Sequence, residues 1–173
     1  MFFQTSHDCC SSRYPGECTV VDVTDDSTFD GGGALTGLYD VGTPAQWELS
    51  NTTSYPGGHS ITNIIPTLPR APGMTSDLTI KITVTHHSTL RCMGKIDTSM
   101  PFDFFTLTIN GQQRNSYHTK LDGWIQIVDR ISPGENTIVF RVENSEDSYG
   151  FNRTEEYFGG GHVYLDDCKI FPS

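Results

Sequence analysis

The chain has 173 residues, and its 21 acidic and 11 basic side chains give a net charge of −10. This length suits one domain with a full core and is too short for two domains of ordinary size. The negative charge repels phosphate backbones, so no nucleic-acid partner is expected. The longest apolar runs are far shorter than a membrane-spanning segment, so no membrane insertion is expected either.

The N-terminal part differs in composition from the rest of the chain. The cysteines are Cys9, Cys10, Cys18, Cys92 and Cys168. We interpret residues 1–24 as a cysteine-rich N-terminal appendage and residues 25–173 as the folded module. An odd number of cysteines cannot all pair within the chain. Two glycosylation sequons, at Asn51 and Asn152, fit a secreted, extracellular glycoprotein.

Short strands are predicted along the whole module. The first three span residues 19–23, 46–49 and 59–65, and glycine- and proline-rich turns separate them. From residue 78 to 84, apolar and polar residues alternate, which is typical of a strand with one buried and one solvated face.

Two hairpins are predicted in the second half of the chain. Residues 102–109 alternate in the same way and end at Asn110-Gly111, a strong hairpin signal, before a polar return strand at 112–118. The second hairpin is predicted from two further strand-like segments, residues 124–131 and 137–143, which stand on either side of the turn Ser132-Pro133-Gly134.

A closing strand at 161–171 completes a set of about ten short strands without a helix, with turn signals roughly every 8 to 12 residues. We therefore predict an all-β fold, a two-sheet antiparallel β-sandwich of jelly-roll type.

Several motifs stand in an order that resembles a known group of domains. They are Phe29-Asp30-Gly31, Trp47, Gly57-Gly58-His59-Ser60-Ile61, Phe102-Asp103-Phe104, Gly123-Trp124, Pro133-Gly134-Glu135-Asn136-Thr137-Ile138 and Tyr164-Leu165-Asp166-Asp167. From Asp25 to residue 171, the chain resembles the carbohydrate-binding-module-like jelly rolls, related to galactose-binding-like and MAM-type domains, of large secreted or adhesive proteins. The resemblance implies a non-catalytic module with a structural calcium ion, and it assigns Asp30 and Asp166 as metal ligands.

The closing strand gives a second reason to consider Asp166. Strict alternation places Asp166 on the same face as Cys168 and Ile170, which have the character of core residues. An ionised carboxylate facing inward requires a cation or several hydrogen-bond donors. Two interpretations follow, a calcium ligand or an aspartate that accepts backbone N–H bonds in a turn.

The same alternation predicts that Cys92 and Cys168 are internal. Either they form a disulfide, which requires Cα atoms within about 7 Å of each other, or they are two free buried thiols.

Enzyme signatures are missing from the sequence. It contains no Gly-x-Ser-x-Gly, no His-Glu-x-x-His and no cysteine beside a plausible histidine, so a non-enzyme is predicted. A jelly-roll polysaccharide lyase with Tyr117 or His118 as its base is the enzymatic alternative.

Aromatic side chains provide the chemistry for binding, because the C–H faces of sugar rings stack on flat side chains. Trp47 and Trp124 fall in predicted strands and are expected in the core, whereas Tyr55 lies in a polar loop. The candidate ligand-binding residues are Tyr149, Phe151, Arg153, Tyr157, Phe158 and Tyr117. The alternative for the stretch from 149 to 158 is a loop that packs its aromatics onto the edge of the sandwich.

The sequence as a whole predicts an extracellular binding or adhesion module, with a glycan or cell-wall polysaccharide as the favoured ligand and calcium as a structural ion. The alternative is a structural or assembly domain that contacts other extracellular protein chains. Exposed aromatics on a concave face favour a glycan, and a broad, flat apolar patch favours protein assembly.

Overall fold

The computed structural model describes residues 21–22, 47–50, 52–55, 60–64, 75–97, 103–117, 121–144 and 161–173. Its strands are β1 Val21–Asp22, β2 Trp47–Ser50, β3 Ser60–Asn63, β4 Thr75–Val84, β5 Ser88–Asp97, β6 Asp103–Ile109, β7 Gln112–Tyr117, β8 Ile125–Ile131, β9 Gly134–Asn144 and β10 His162–Pro172. No helix with the length and apolarity to cross a bilayer occurs in these segments.

The strands form two antiparallel sheets. The larger sheet has the order β2-β3-β10-β5-β8, with β1 also paired to β10, and the smaller sheet has the order β4-β9-β6-β7. Strand β10 is central because it pairs with β3 and β1 along one side and with β5 along the other. This arrangement confirms the predicted all-β sandwich.

The core lies between the facing sides of the two sheets. Alternate residues of β5 are buried there, and in β4 Leu78 and Ile80 are buried while Ile82 and Val84 are partly buried, on the face that the alternation from residue 78 to 84 predicts. Large buried side chains include Trp47, Phe105, Phe140, Ile61, Leu78, Ile80, Leu90, Ile96, Leu107, Ile109, Ile127 and Ile131. Burial of these apolar side chains stabilises the sandwich.

The first predicted hairpin is confirmed. Strands β6 and β7 pair across Asn110-Gly111, where both residues have positive φ values, of 51° and 75°. Positive φ at both positions characterises the type I′ turn, whose twist matches that of the flanking strands. The Asn110 side chain also donates to Asn136 Oδ1 at 2.9 Å and accepts from the Thr137 N–H at 2.8 Å.

The second predicted hairpin is wrong. Strand β8 pairs with β5 in the larger sheet, whereas β9 pairs with β4 and β6 in the smaller sheet. The Ser132-Pro133-Gly134 turn therefore carries the chain from one sheet to the other. Asn136, which is buried, fixes this corner by donating to the carbonyls of Ser132 and Gly134, each at 2.9 Å.

The N-terminal segment contributes to the larger sheet. Strand β1 pairs with β10, with Val21 opposite Ile170. Two residues of the segment assigned to the appendage are thus part of this sheet. Asp25, where the domain boundary is predicted, lies outside the described residues.

Cys92 and Cys168 are buried and form a disulfide, so the prediction that both are internal is confirmed. Their Cα atoms are 4.0 Å apart. The bond joins the neighbouring strands β5 and β10 on the core side of the larger sheet.

Strand β10 has a bulge that sequence reasoning did not anticipate. Its register with β5 shifts between Asp166 and Lys169, and Asp167 has a positive φ of 46°. The extra residue reverses the side-chain alternation, so the prediction that Asp166 shares a face with Cys168 is wrong. Before the bulge, Val163 and Leu165 face the core, and Asp166 therefore belongs to the outer face.

Candidate functional site

The candidate site lies on the outer face of the larger sheet, where part of the β2–β3 connection covers the strands. The Tyr55 N–H donates to Asp166 Oδ2 at 2.7 Å, and the Ser60 hydroxyl donates to the Thr53 carbonyl. These two bonds hold residues 52–55 against β3 and β10. Tyr55 is thereby positioned over the sheet although it belongs to a loop.

Asp166 is 9% exposed and anchors this arrangement. Its Oδ2 atom accepts from Tyr55, and its Oδ1 atom accepts from the Asp167 N–H at 2.7 Å. Backbone donors thus stabilise the buried carboxylate, which is the second of the two interpretations offered by the sequence.

The calcium ion that the resemblance implies stays a prediction. Asp30, the partner assigned to Asp166, lies outside the described residues. Within the described segments, no three His, Cys, Asp or Glu side chains are grouped so that they could hold a metal ion. Asp166 supplies oxygen atoms of the type that calcium prefers, and the fit therefore depends on donors from the rest of the chain.

Tyr55 and Trp124 form the first half of an aromatic cluster. Their ring centroids are 5.8 Å apart, and the ring planes meet at 67° in an edge-to-face contact. Trp124 is half-buried and immediately precedes β8. The prediction that Trp124 is a strand residue in the core is therefore wrong. Trp47, with 2% exposure, does lie in the core as predicted.

Tyr164, His162 and Lys95 form the second half. Tyr164 lies opposite Lys95 across the β10–β5 pairing, and the Lys95 ammonium group is 5.9 Å from the centroid of the tyrosine ring. The His162 ring lies 5.7 Å from the same ring, and His162 Nδ1 is 3.4 Å from the Thr62 hydroxyl oxygen. All three side chains of this half are partly exposed.

The two halves of the aromatic cluster lie side by side on the neighbouring strands β10 and β5 and at the start of β8. Ile125, which follows Trp124, is paired with Gly94, which precedes Lys95. Tyr164 is two residues from Asp166 along β10, about 7 Å at the rise of a strand. We name Tyr55, Lys95, Trp124, His162 and Tyr164 the outer-face cluster. It combines three aromatic rings with a cation and an imidazole on one partly exposed surface.

A group of ion-paired side chains lies next to the outer-face cluster on the same face of the sheet. Asp167 accepts from Arg91 Nη2 at 2.9 Å and also binds the Lys169 ammonium group. Arg91 Nε is buried without a hydrogen-bond partner. These contacts fix the bulge and neutralise the cations that take part in them.

The ligand-binding residues predicted from the sequence are Tyr149, Phe151, Arg153, Tyr157, Phe158 and Tyr117. All except Tyr117 lie outside the described residues, as do both sequon asparagines, Asn51 and Asn152, and the alternative base His118. Their roles stay predictions.

Tyr117 belongs to the smaller sheet and packs against the core. Its ring stacks on Phe105 with a centroid distance of 5.9 Å. Burial raises the pKa of the Tyr117 phenol above its ordinary value of 10.0. A raised pKa disfavours the phenolate, and this disfavours Tyr117 as the base of a polysaccharide lyase.

Lys95, His162 and Tyr164 were missed as site residues, and Trp124 was assigned to the core. A usable signal was available for two of them. Alternation along β5 and β10 places Lys95 and Tyr164 on the face opposite Ile96 and Leu165. Their pairing, however, depends on the register between strands that are far apart in the sequence.

Comparison with known proteins gives similarity of fold only. No family model matches the chain, and no curated protein matches it. A CBM61 module in complex with β-1,4-galactotriose is 11% identical, with a TM-score of 0.49 over 91% of this chain and 90% of that one. A family 35 carbohydrate binding module from Clostridium thermocellum is 14% identical, with a TM-score of 0.42 over 74% and 89%.

An adhesin domain, the K1 cleaved adhesin domain of Lys-gingipain from Porphyromonas gingivalis W83, is 13% identical, with a TM-score of 0.47 over 92% of each chain. The solved structures similar to this chain thus include carbohydrate-binding modules, the class that the sequence motifs resemble.

Proposed function

We propose that the chain is a non-catalytic, glycan-binding module of an extracellular protein, and that the outer-face cluster contacts the sugar. The observation that carries the proposal is the Tyr55–Trp124 ring contact on the partly exposed face where strand register also places Tyr164. Aromatic faces stack on the C–H faces of sugar rings, and polar groups at the rim bind the hydroxyls. Lys95 and His162, both partly exposed, supply such polar groups.

The described surface favours a glycan over a protein partner. Val128, at 49%, is the one large apolar side chain that is exposed among the described residues. A protein-assembly face requires a broader apolar patch than one valine. The cluster instead offers aromatic rings among polar and charged groups, which suits a hydroxyl-rich ligand.

The loop aromatics predicted from the sequence belong to the same proposal. We propose from the sequence that Tyr149, Phe151, Arg153, Tyr157 and Phe158 also contact the sugar, since they place aromatic rings among polar groups.

A glycan screen followed by calorimetry tests the proposal. Trp124→Ala and Tyr164→Ala should each weaken binding about tenfold or more if a stacking contact is lost. The matched control is Phe104→Ala, which removes a half-buried aromatic from the opposite sheet and should leave affinity unchanged.

Two outcomes would contradict the proposal. Failure to bind any glycan in a broad screen, including β-1,4-galactotriose, would favour the assembly domain. Unchanged affinity in both cluster variants would remove this surface from the site, and Tyr157→Ala would then show whether the loop binds the sugar alone.

A further inference from the structure

The outer-face cluster contains a cation, Lys95, that makes no ion pair within the part of the chain that the structure describes. Arg91 and Lys169 both bind Asp167, and Arg141 makes two bonds to Asp77 at 2.7 and 2.6 Å. Lys95, by contrast, makes no ion pair with any described carboxylate, and its ammonium group lies over the Tyr164 ring. Its charge is therefore available to a ligand at the cluster.

The contact between Lys95 and Tyr164 is one that a ligand can replace. A cation over an aromatic ring is weakly held at a partly exposed site. A carboxylate would bind the same ammonium group through a charge-assisted hydrogen bond, which is stronger than a bond between neutral groups. The ammonium group would then leave the ring, and the ring would be free to stack on a sugar.

The overall charge limits how acidic such a ligand can be. With a net charge of −10, the chain repels a dense polyanion such as a heavily sulfated polysaccharide. One cation without an ion pair among the described residues, beside three aromatic rings, suits a glycan with one carboxylate per acidic ring, and a uronic acid is the simplest such sugar.

We infer that the glycan is acidic and that Lys95 binds the carboxylate of a uronic acid residue stacked on the outer-face cluster. This inference rests on the proposed function and adds the class of ligand. It assigns Lys95 to specificity and the aromatic rings to the affinity shared by all sugars.

The test uses trigalacturonate and its fully methyl-esterified form, which differ in charge while keeping the same rings. Calorimetry should show that the whole chain binds trigalacturonate about tenfold more tightly than the ester, the factor expected for one charge-assisted hydrogen bond. Lys95→Gln should abolish this difference, because the amide keeps a polar group at this position but removes the charge that binds the carboxylate.

Arg130→Gln is the matched control. Arg130 is exposed on the same face of the neighbouring strand, pairs with no described carboxylate and carries the same charge as Lys95. It lies six positions from Trp124, about 20 Å along the strand. Its substitution should retain the preference for trigalacturonate. Equal losses in the two variants would mean that general electrostatic attraction, and not a contact with Lys95, causes the preference.

The outcomes separate this inference from the proposed function. Equal affinity for trigalacturonate and its ester, or binding of neutral glycans alone, would overturn the assignment of Lys95 and leave glycan binding intact. No binding of any glycan would overturn both. Unchanged melting temperatures of the two variants would show that both remain folded.

Discussion

The disulfide between Cys92 and Cys168 leads to the largest predicted effect on stability. The two residues are 76 positions apart, so the bond closes a long loop in the unfolded chain. The chain-entropy relation for a loop of this length gives about 15 cal/mol/K, or about 4.5 kcal/mol at 25 °C. That amount is a large part of the roughly 5 to 15 kcal/mol by which a domain is usually stable.

Denaturant unfolding of the Cys92→Ala/Cys168→Ala double variant, without reductant, measures this contribution. We expect the free energy of unfolding to fall by about 4 to 5 kcal/mol. Adding reductant to both proteins provides the control, because the difference between them should then nearly disappear even if the other cysteines form bonds. A double variant within about 1 kcal/mol of the unsubstituted chain, without reductant, would refute the reasoning.

Three further predictions concern packing, metal binding and titration. Gly94→Ala should lower the free energy of unfolding by about 1 to 3 kcal/mol, because the alanine Cβ would lie 2.7 Å from Ile127 Cδ1. In the same unfolding assay, the double variant Gly94→Ala/Ile127→Val should recover part of this loss. Excess chelator should lower the melting temperature if calcium binds only the folded state; an unmoved curve with no metal in elemental analysis would leave Asp166 with its hydrogen bonds alone. Burial raises the pKa of Tyr117, so above pH 10 the unfolded chain releases the phenol proton before the folded chain does, and the free energy of unfolding should fall as the pH rises. Tyr117→Phe should make this alkaline fall in the free energy of unfolding less steep. An identical fall in the variant would contradict the prediction.

The parts of the fold that sequence predicted well are those set by local pattern. Alternation from Leu78 and the Asn110-Gly111 turn depend on neighbouring residues, and both are confirmed. The Ser132-Pro133-Gly134 turn was misread because turn residues specify a change of direction but do not specify the sheet that the next strand joins. The bulge after Asp166 was missed because one inserted residue leaves no distinct mark on a short alternating pattern.

The candidate site was harder to predict than the fold because its parts are distant in sequence. Tyr55 comes from a loop, Trp124 from the residue before β8, and Tyr164 from the last strand. Their meeting depends on strand register and on the Tyr55–Asp166 hydrogen bond. The sequence correctly draws attention to aromatic residues in polar loops, and Tyr55 is one of them. The sequence alone does not indicate which strand residues lie beside Tyr55 in the folded chain.

The central claim is that the outer-face cluster contacts the glycan, and an NMR titration that follows the indole N–H of Trp124 tests it most directly. The chain has two tryptophans, and the buried Trp47 serves as an internal reference. We expect a saturable shift of the Trp124 signal with the same Kd that calorimetry gives, and little change at Trp47. Saturable glycan binding that leaves the Trp124 signal unmoved would contradict the claim.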